Sequence, residues 1–207
     1  MYTKRNSVTR KIPIPRKGTK YVAVASSHKS ESVSVLIALR DILHLARNLS
    51  EVKKMINSKL LKLNSRLVKD YRESIRLFNI LEADKLYILK ILPTKRFALE
   101  EVKSANSRIC KVVNKRLIKG KKIQLNFHDG SNVISSDNKI SVNDSVHLSQ
   151  ENKIISHIPF KEGRKVFITS GKYVGQEGSI LNLENSKTLV KLNDKETFLE
   201  KEVLVVL

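Results

Sequence analysis

The stretch GRKVFITSGKYVGQEGSI, residues 163–180, decides how the end of this chain folds. Val166, Ile168 and Ile180 stand at alternating strand positions, and Gly171, Gly175 and Gly178 follow at spacings of four and three. Glycine permits positive φ and close backbone approach, so the pattern predicts strand, glycine-rich loop, strand. Lys172 and Tyr173 sit in that loop, where a cation and a stacking ring are placed to meet RNA. A nucleotide-phosphate loop is excluded, because no Gly-Lys-Ser or Gly-Lys-Thr opens a helix here. Thr188–Leu192 and Glu202–Leu207 read as further strands that close a small barrel over residues 159–207.

Upstream, residues 104–158 read as a central all-β domain. Ile109–Ile118 and Ile123–Phe127 flank Lys119, Gly120, Lys121 and Lys122, a basic hairpin tip, and Ile123, Leu125 and Phe127 alternate with Gln124 and Asn126. His128, Asp129 and Gly130 form the next turn, and Ile140, Val142, Val146 and Leu148 alternate around Asn143 and Asp144. Short strands at this spacing predict a small antiparallel barrel or sandwich.

Residues 31–103 have another period. Val35, Leu39, Ile42 and Ala46 lie three and four apart, predicting a helix from Glu31 with Arg40, His44 and Arg47 on a different face. Ser50 and Glu51 supply an N-cap and a first-turn acid for a second short helix. In it Val52, Met55 and Ile56 point one way and Lys53, Lys54 and Asn57 the other, so two short helices present adjoining basic faces. Lys59–Leu63, Ile75–Leu81 and Leu86–Leu92 then read as strands, and the order helix, helix, strands makes the fold class α+β. Arg66, Lys69, Arg72 and Arg76 crowd the connection after Asn64 and Ser65. Pro93 to Arg96 breaks the chain before Phe97, which puts a domain boundary near Lys103. Residues 1–30 carry eight basic residues, among them Arg10, Lys11, Arg16 and Lys17, and no acid. Interrupted by Pro13 and Pro15, this segment buries too little apolar area to fold alone and reads as an arm that orders along phosphates.

Charge follows the same division. Thirty of the forty Lys and Arg residues precede Ile123, against nine of the twenty Asp and Glu, so residues 1–122 carry +21 and the remaining 85 carry −1. A positive charge so localised repels itself unless a polyanion neutralises it, and a nucleic acid backbone is the commonest one. Cys110 is the only cysteine, which excludes an internal disulfide framework and a multi-cysteine zinc site, and its apolar strand marks it as core. His28, His44, His128, His147 and His157 lack metal-ligand spacing, and neighbours on a turn such as His128 and Asp129 do not present both groups to one substrate. No metal, cofactor or small-molecule substrate is expected. The start, Met1 to Lys20, has no apolar core of a secretory signal, and Val35–Leu39 and Val203–Leu207 are far too short to span a bilayer. Tryptophan is absent, which disfavours a membrane-surface helix. These features predict a soluble intracellular protein with no membrane partner.

In the order of its parts the chain resembles the eukaryotic and archaeal form of small-subunit ribosomal protein four, from about Arg10 to Leu207. The resemblance is carried by Leu39-Arg40, Glu51-Val52-Lys53-Lys54, Lys62, Asp70, Arg96-Phe97-Ala98, Cys110-Lys111-Val112, Val142-Asn143-Asp144 and the glycine-spaced Gly171 to Ile180. The last is similar to a KOW motif, and the helix pair is similar to an alpha-L RNA-binding fold. The resemblance implies four parts: a basic arm over 1–30, an alpha-L domain over 31–103, a central all-β domain over 104–158 and an SH3-like KOW barrel over 159–207. It also implies ribosomal RNA contact at Arg40, Lys53, Lys54 and Lys62. Asn64-Ser65 departs from the family's acid or Asn followed by Gly, and Tyr71 to Arg76 lacks the usual Pro and Gly. The chain also stops at Leu207 without the basic extension that is common there, so it reads as a shortened member.

The expected role is a structural component of the small ribosomal subunit, bound to small-subunit rRNA and neighbouring ribosomal proteins, not a homo-oligomer. It would work on cytoplasmic ribosomes, with passage through the nucleolus if the source is eukaryotic. With only 5% aromatic residues, phosphate and RNA shape outweigh base reading. The expected contacts are Arg10, Lys11, Arg16, Lys17, Arg40, Arg47, Lys53, Lys54, Lys62, Arg66, Lys69, Arg72, Lys119, Lys121, Lys122, Lys172 and Tyr173. Two other readings stand beside this one: the RNA-binding part of an RNA-modifying enzyme, and a transcription or translation factor docking through a KOW-like barrel.

Overall fold

The computed structural model describes residues 2–104, 106–118, 122–135, 139–184, 187–192 and 195–207. They divide at Ala105 into two compact units. Strands dominate both, with few helices.

The first unit opens with β1 (Tyr2–Lys4) paired antiparallel to β2 (Tyr21–Ala23). Between them Arg5 gathers the loop around its guanidinium, donating from Nε to the Thr19 carbonyl at 2.8 Å, from Nη1 to the Pro15 carbonyl at 2.6 Å and from Nη2 to Thr19 Oγ1 at 3.0 Å. Ile12, Val22 and Val24 are buried, and the Phe97 N–H donates to the Lys11 carbonyl at 2.7 Å. The segment expected to order only along phosphates is thus docked within its unit. Backbone bonds from outside residues 1–30 hold it, Phe97 N–H to the Lys11 carbonyl and Ser26 N–H to the Arg72 carbonyl, which its own composition does not register.

β3 (Ser32–Ser34) pairs with β6 (Ser74–Arg76) and leads into α1 (Val35–Ile37), which continues as a π turn over Ala38–Ile42. The helix therefore starts four residues after Glu31. Ser34 Oγ accepts from the Ile37 N–H and caps it, and Ser32, Val33 and Ser34 are all buried in strand pairing. His44, at φ +56, lies past the helix end, so it does not share a helical face with Arg40. α2 (Leu49–Asn57) is capped by Asn48 and not by Ser50. Asn48 Oδ1 accepts from the Glu51 N–H at 2.9 Å, and Glu51 reaches back to the Arg47 N–H at 2.7 Å, a capping box displaced by one residue.

A five-stranded sheet follows in the order β5-β4-β7-β8-β9, built from β4 (Lys62–Leu63), β5 (Arg66–Leu67), β7 (Ile80–Glu82), β8 (Leu86–Ile91) and β9 (Phe97–Val102). The expected strand Ile75–Leu81 is broken because buried Phe78 adopts φ +61 and donates its N–H to the Leu89 carbonyl. Pro93 to Arg96, read as a break before Phe97, form the turn between β8 and β9, closed by the Leu92 N–H to the Arg96 carbonyl at 2.8 Å. The β4–β5 hairpin closes through Asn64 and Ser65 at φ +49 and +66, the mirror-image turn that favours Asn-Gly. Asn64 Oδ1 accepts from the Ile80 N–H at 2.9 Å and ties the turn to β7, which compensates for the serine.

The second unit contains two five-stranded antiparallel sheets. The first has the order β12-β11-β10-β13-β14, from β10 (Ser107–Ile118), β11 (Lys122–Phe127), β12 (Asn132–Ser135), β13 (Ser145–Ser149) and β14 (Ile154–Ile158). Its core gathers Cys110, Val112, Ile123, Leu125, Phe127, Ile140, Val146 and Leu148. The alternation from Ile140 to Leu148 becomes a strand only from Ser145, since Asn143 turns at φ +74 and Asp144 Oδ2 draws in the Ser141 N–H at 2.8 Å. Arg108 and Asp129 form an ion pair at 3.1 Å whose side chains are 3% and 1% exposed. Burial alone would raise the Asp129 carboxyl, but hydrogen bonds from Ser131 and the Arg108 charge hold it below its ordinary range. Cys110 beside them is buried, and burial together with the Asp129 charge pushes its thiol far up, which makes it unreactive.

The second sheet runs β18-β17-β16-β15-β19, from β15 (Lys165–Ile168), β16 (Glu177–Leu183), β17 (Lys187–Leu192), β18 (Lys195–Glu200) and β19 (Leu204–Val206). Gly171 and Gly175 take φ +93 and +82 in the loop after β15. A Cβ on Gly178 would stand 2.7 Å from the Lys191 carbonyl oxygen, so only glycine lets β16 and β17 approach there. β18 is a strand the periodicity did not single out, and Lys201–Val203 is a helical turn where the last strand was expected to begin.

Two buried polar side chains connect the sheets of this unit. Asp144 accepts from His157 Nε2 at 2.7 Å and from the Phe160 N–H at 2.8 Å, fixing the segment that leads to β15. Lys111, 4% exposed, donates from Nζ to the Lys201 and Glu202 carbonyls at 2.7 Å each. Burial lowers its pKa from 10.5 to about 8 against the opposing pull of Glu202.

Two outcomes follow from these contacts. Ser65→Gly removes the left-handed strain and stabilises the full chain by about 1 kcal/mol in thermal unfolding, whereas Asn64→Ala costs about 1–2 kcal/mol. Between about pH 8 and 10.5 the unfolded chain holds a proton on Lys111 that the folded chain has released, so stability rises with pH there. Relative to Lys111→Met, which has no such group, the gain in urea unfolding approaches about 3 kcal/mol across the window. A flat difference between the two proteins from pH 8 to 10.5 would refute the burial of a charged lysine.

Candidate nucleic-acid interface

The first unit carries twenty-three basic and nine acidic residues, a net +14. Each of the nine acids has a partner. Glu31, Asp41, Glu73, Glu82, Glu100 and Glu101 pair with Arg76, Arg40, Arg66, Lys62, Lys90 and Lys85. Glu51 and Asp70 accept backbone N–H groups, and Asp84 accepts from the Tyr87 hydroxyl. Three expected contacts are consequently neutralised in place. Arg40 lies along Asp41 with Nη2 to Oδ2 at 2.8 Å, Lys62 meets Glu82 at 3.2 Å, and Arg66 meets Glu73 at 2.8 Å.

Among the described residues Arg10, Arg16, Lys17, Arg47, Lys53, Lys54 and Lys69 are exposed and form no ion pair, while Lys11 is half-buried. Lys53 and Lys54 project from α2 because Val52 anchors the opposite face with no exposure. The loop between β5 and β6 is brought to the helices by backbone bonds, Leu36 N–H to the Tyr71 carbonyl at 2.9 Å and Val35 N–H to the Glu73 carbonyl at 3.1 Å. Glu73 in turn accepts from the Lys69 N–H at 2.7 Å and shapes the loop without Pro or Gly.

This brings two cations to Tyr71. Lys53 Nζ lies 5.6 Å and the Arg72 guanidinium 5.1 Å from its ring centroid, and Arg72 Nε donates to its hydroxyl at 3.0 Å. A half-buried ring with cations beside it can offer a stacking surface and phosphate contacts together. Tyr71 was not among the expected contacts, although an aromatic inside a Lys- and Arg-rich loop is the signal that finds it. Asp41, next to Arg40 in sequence, was the corresponding signal for neutralisation.

In the second unit Lys122 is exposed on β11, while Lys119 and Lys121 lie outside the described residues. Lys172 stands 5.6 Å from the Tyr173 ring in the glycine loop. No group of three or more metal-ligating side chains occurs among the described residues, and no described helix is long and apolar enough to cross a membrane.

A model of the ribosomal family S4e matches residues 83–155. The small ribosomal subunit protein eS4 of Methanocella arvoryzae is 35% identical over 88% of this chain and 81% of its own length. That of Archaeoglobus fulgidus is 32% identical over 100% of this chain and 93% of its own. Among solved structures, the 30S ribosomal protein S4e from Thermoplasma acidophilum superposes with a TM-score of 0.74 at 26% identity, covering 86% of this chain and 95% of that one. Sequence and fold agree along most of both partners' lengths, and the chain belongs to the ribosomal protein family S4e.

Proposed function

We infer that this chain is a structural constituent of the small ribosomal subunit, a non-enzymatic component that holds small-subunit rRNA and works on cytoplasmic ribosomes. One observation carries the RNA assignment: the first unit's acids are all engaged, yet Lys53 beside Tyr71, and Lys54 and Lys69, form no ion pair among the described residues. A net +14 on about half the chain repels itself, and a polyanion relieves that repulsion.

The finer architecture is read as four parts: the docked basic arm over 1–30, an alpha-L RNA-binding domain over 31–103, a central all-β domain over 104–158 and an SH3-like KOW barrel over 159–207. Support for the alpha-L reading is the helix pair with the β4–β5 hairpin. Support for the KOW reading is the glycine loop with its Lys172–Tyr173 pair and the close strand approach at Gly178. The RNA-facing set is Arg10, Lys11, Arg16, Lys17, Arg47, Lys53, Lys54, Lys69, Arg72, Lys122, Lys172 and Tyr173, with Tyr71 added. Arg40, Lys62 and Arg66 contribute less, because each already has a carboxylate. Neighbouring ribosomal proteins are the other partners, and the chain acts as a single copy.

Binding of the full chain to a small-subunit rRNA fragment tests this. Lys53→Gln with Lys54→Gln lowers the slope of log K against log salt by about 0.7–0.9 for each phosphate that is no longer neutralised. Tyr71→Ala weakens binding by about 1–3 kcal/mol with little change of slope. Lys85→Gln with Lys90→Gln, whose ammonium groups are held by Glu101 and Glu100, serves as the control and leaves the slope unchanged. Equal slope changes for both lysine pairs would show that bulk charge, not this surface, contacts the RNA.

A further inference from the structure

Beside β1 and β2 the chain forms a cleft of about 650 Å³ whose lining includes Arg10, Arg16, Arg96, Val8, Ile14 and Pro15. It is a built feature and not a gap between loose side chains. Arg5, which also lines it, spends its guanidinium on the Pro15 and Thr19 carbonyls, so the wall from Pro15 to Thr19 is held from within. Gly18, at φ +141, allows that packing: a Cβ there would stand 2.9 Å from Arg5 Nη2. The floor is fixed by buried Ile12 and by the Phe97 N–H bond to the Lys11 carbonyl, which sets Arg96 beside the arm.

With Arg5 occupied, Arg10, Arg16 and Arg96 are exposed guanidiniums that form no ion pair among the described residues, and no acid lines the cleft. An anion belongs there. Val8, Ile14 and Pro15 in the same lining argue for more than a bare anion, since a phosphate alone gains nothing from them. Clefts of several hundred cubic ångströms with apolar walls and a few placed polar groups suit an organic ligand. Arginine both pairs with phosphate bidentately and stacks on bases.

We propose that this cleft takes one unpaired ribonucleotide splayed out of the bound RNA, its base against Ile14 and Pro15 and its phosphate on Arg10, Arg16 and Arg96. The proposal rests on the RNA-binding reading above and adds to it a contact of a different kind. The α2 surface follows the backbone of folded RNA, whereas the cleft needs a base that is free of its partner. Duplex RNA cannot enter it.

The test uses the full chain with oligouridylate and with a short blunt-ended RNA duplex as probes. Arg96→Gln weakens oligouridylate binding about fivefold and duplex binding no more than about twofold. Uridine 5′-monophosphate shifts the Ile14 methyl resonance, and inorganic phosphate does not. Equal losses on both RNAs would reduce the cleft to general phosphate-binding surface, and a phosphate-induced shift matching that of the mononucleotide would reduce it to an anion site. Unchanged oligouridylate binding in the variant overturns the proposal outright. If the unaltered chain binds neither RNA in a salt-dependent way, it is the broader RNA reading that fails.

Discussion

Self-repulsion of the cations in the first unit is the constraint around which the molecule is arranged. Nine carboxylates face twenty-three Lys and Arg residues there, and none of the nine is idle. Six hold single cations, two secure helix or loop backbone, and one accepts from a tyrosine hydroxyl. Exposed ion pairs of this kind contribute little to stability individually. Their consequence is selection: Arg40, Lys62 and Arg66 each have a carboxylate at hand, so the remaining field concentrates where cations outnumber acids, on α2, on the loop carrying Lys69 and around the arm.

The second unit solves a different problem. It is less charged, and two of its cations, Arg108 and Lys111, are used in the interior. Arg108 is sunk against Asp129 and Asn152, and Lys111 reaches the turn before β19. A buried ion pair adds little net stability over an apolar pair, yet losing one partner is costly, so such contacts enforce a particular arrangement. Asp144 and Lys111 act in that way between the two sheets. This gives Cys110-Lys111-Val112 and Val142-Asn143-Asp144, motifs that carried the family resemblance, a structural meaning: they contain the side chains that fix one sheet against the next.

Local signals were legible where the deciding contact is local. The glycine spacing from Gly171 to Gly178, the turn at His128 to Gly130, the strand from Ile123 to Phe127 and the apolar burial of Cys110 all stand as read. Boundaries set by distant partners were not. The start of α1 depends on β6, forty residues downstream of β3. Phe78 breaks a strand-like run because of the Leu89 carbonyl, and β18 exists because β17 offers it an edge. Period-three and period-two patterns do not register such partners.

The same distinction governs the interface. Composition by itself determined that the chain is strongly cationic with its charge in the first 122 residues, because net charge does not depend on how the chain folds. Only tertiary structure decided which cations remain available. Glu82 finds Lys62 across a strand pair, Glu73 finds Arg66 across a loop, and Lys53 and Arg72 meet at Tyr71 from separate elements. Arg96 comes to the arm through one backbone bond from Phe97 to Lys11. Neutralisation and stacking act over a few ångströms, and at that range neighbours are assigned by strand pairing and packing, not by order along the chain.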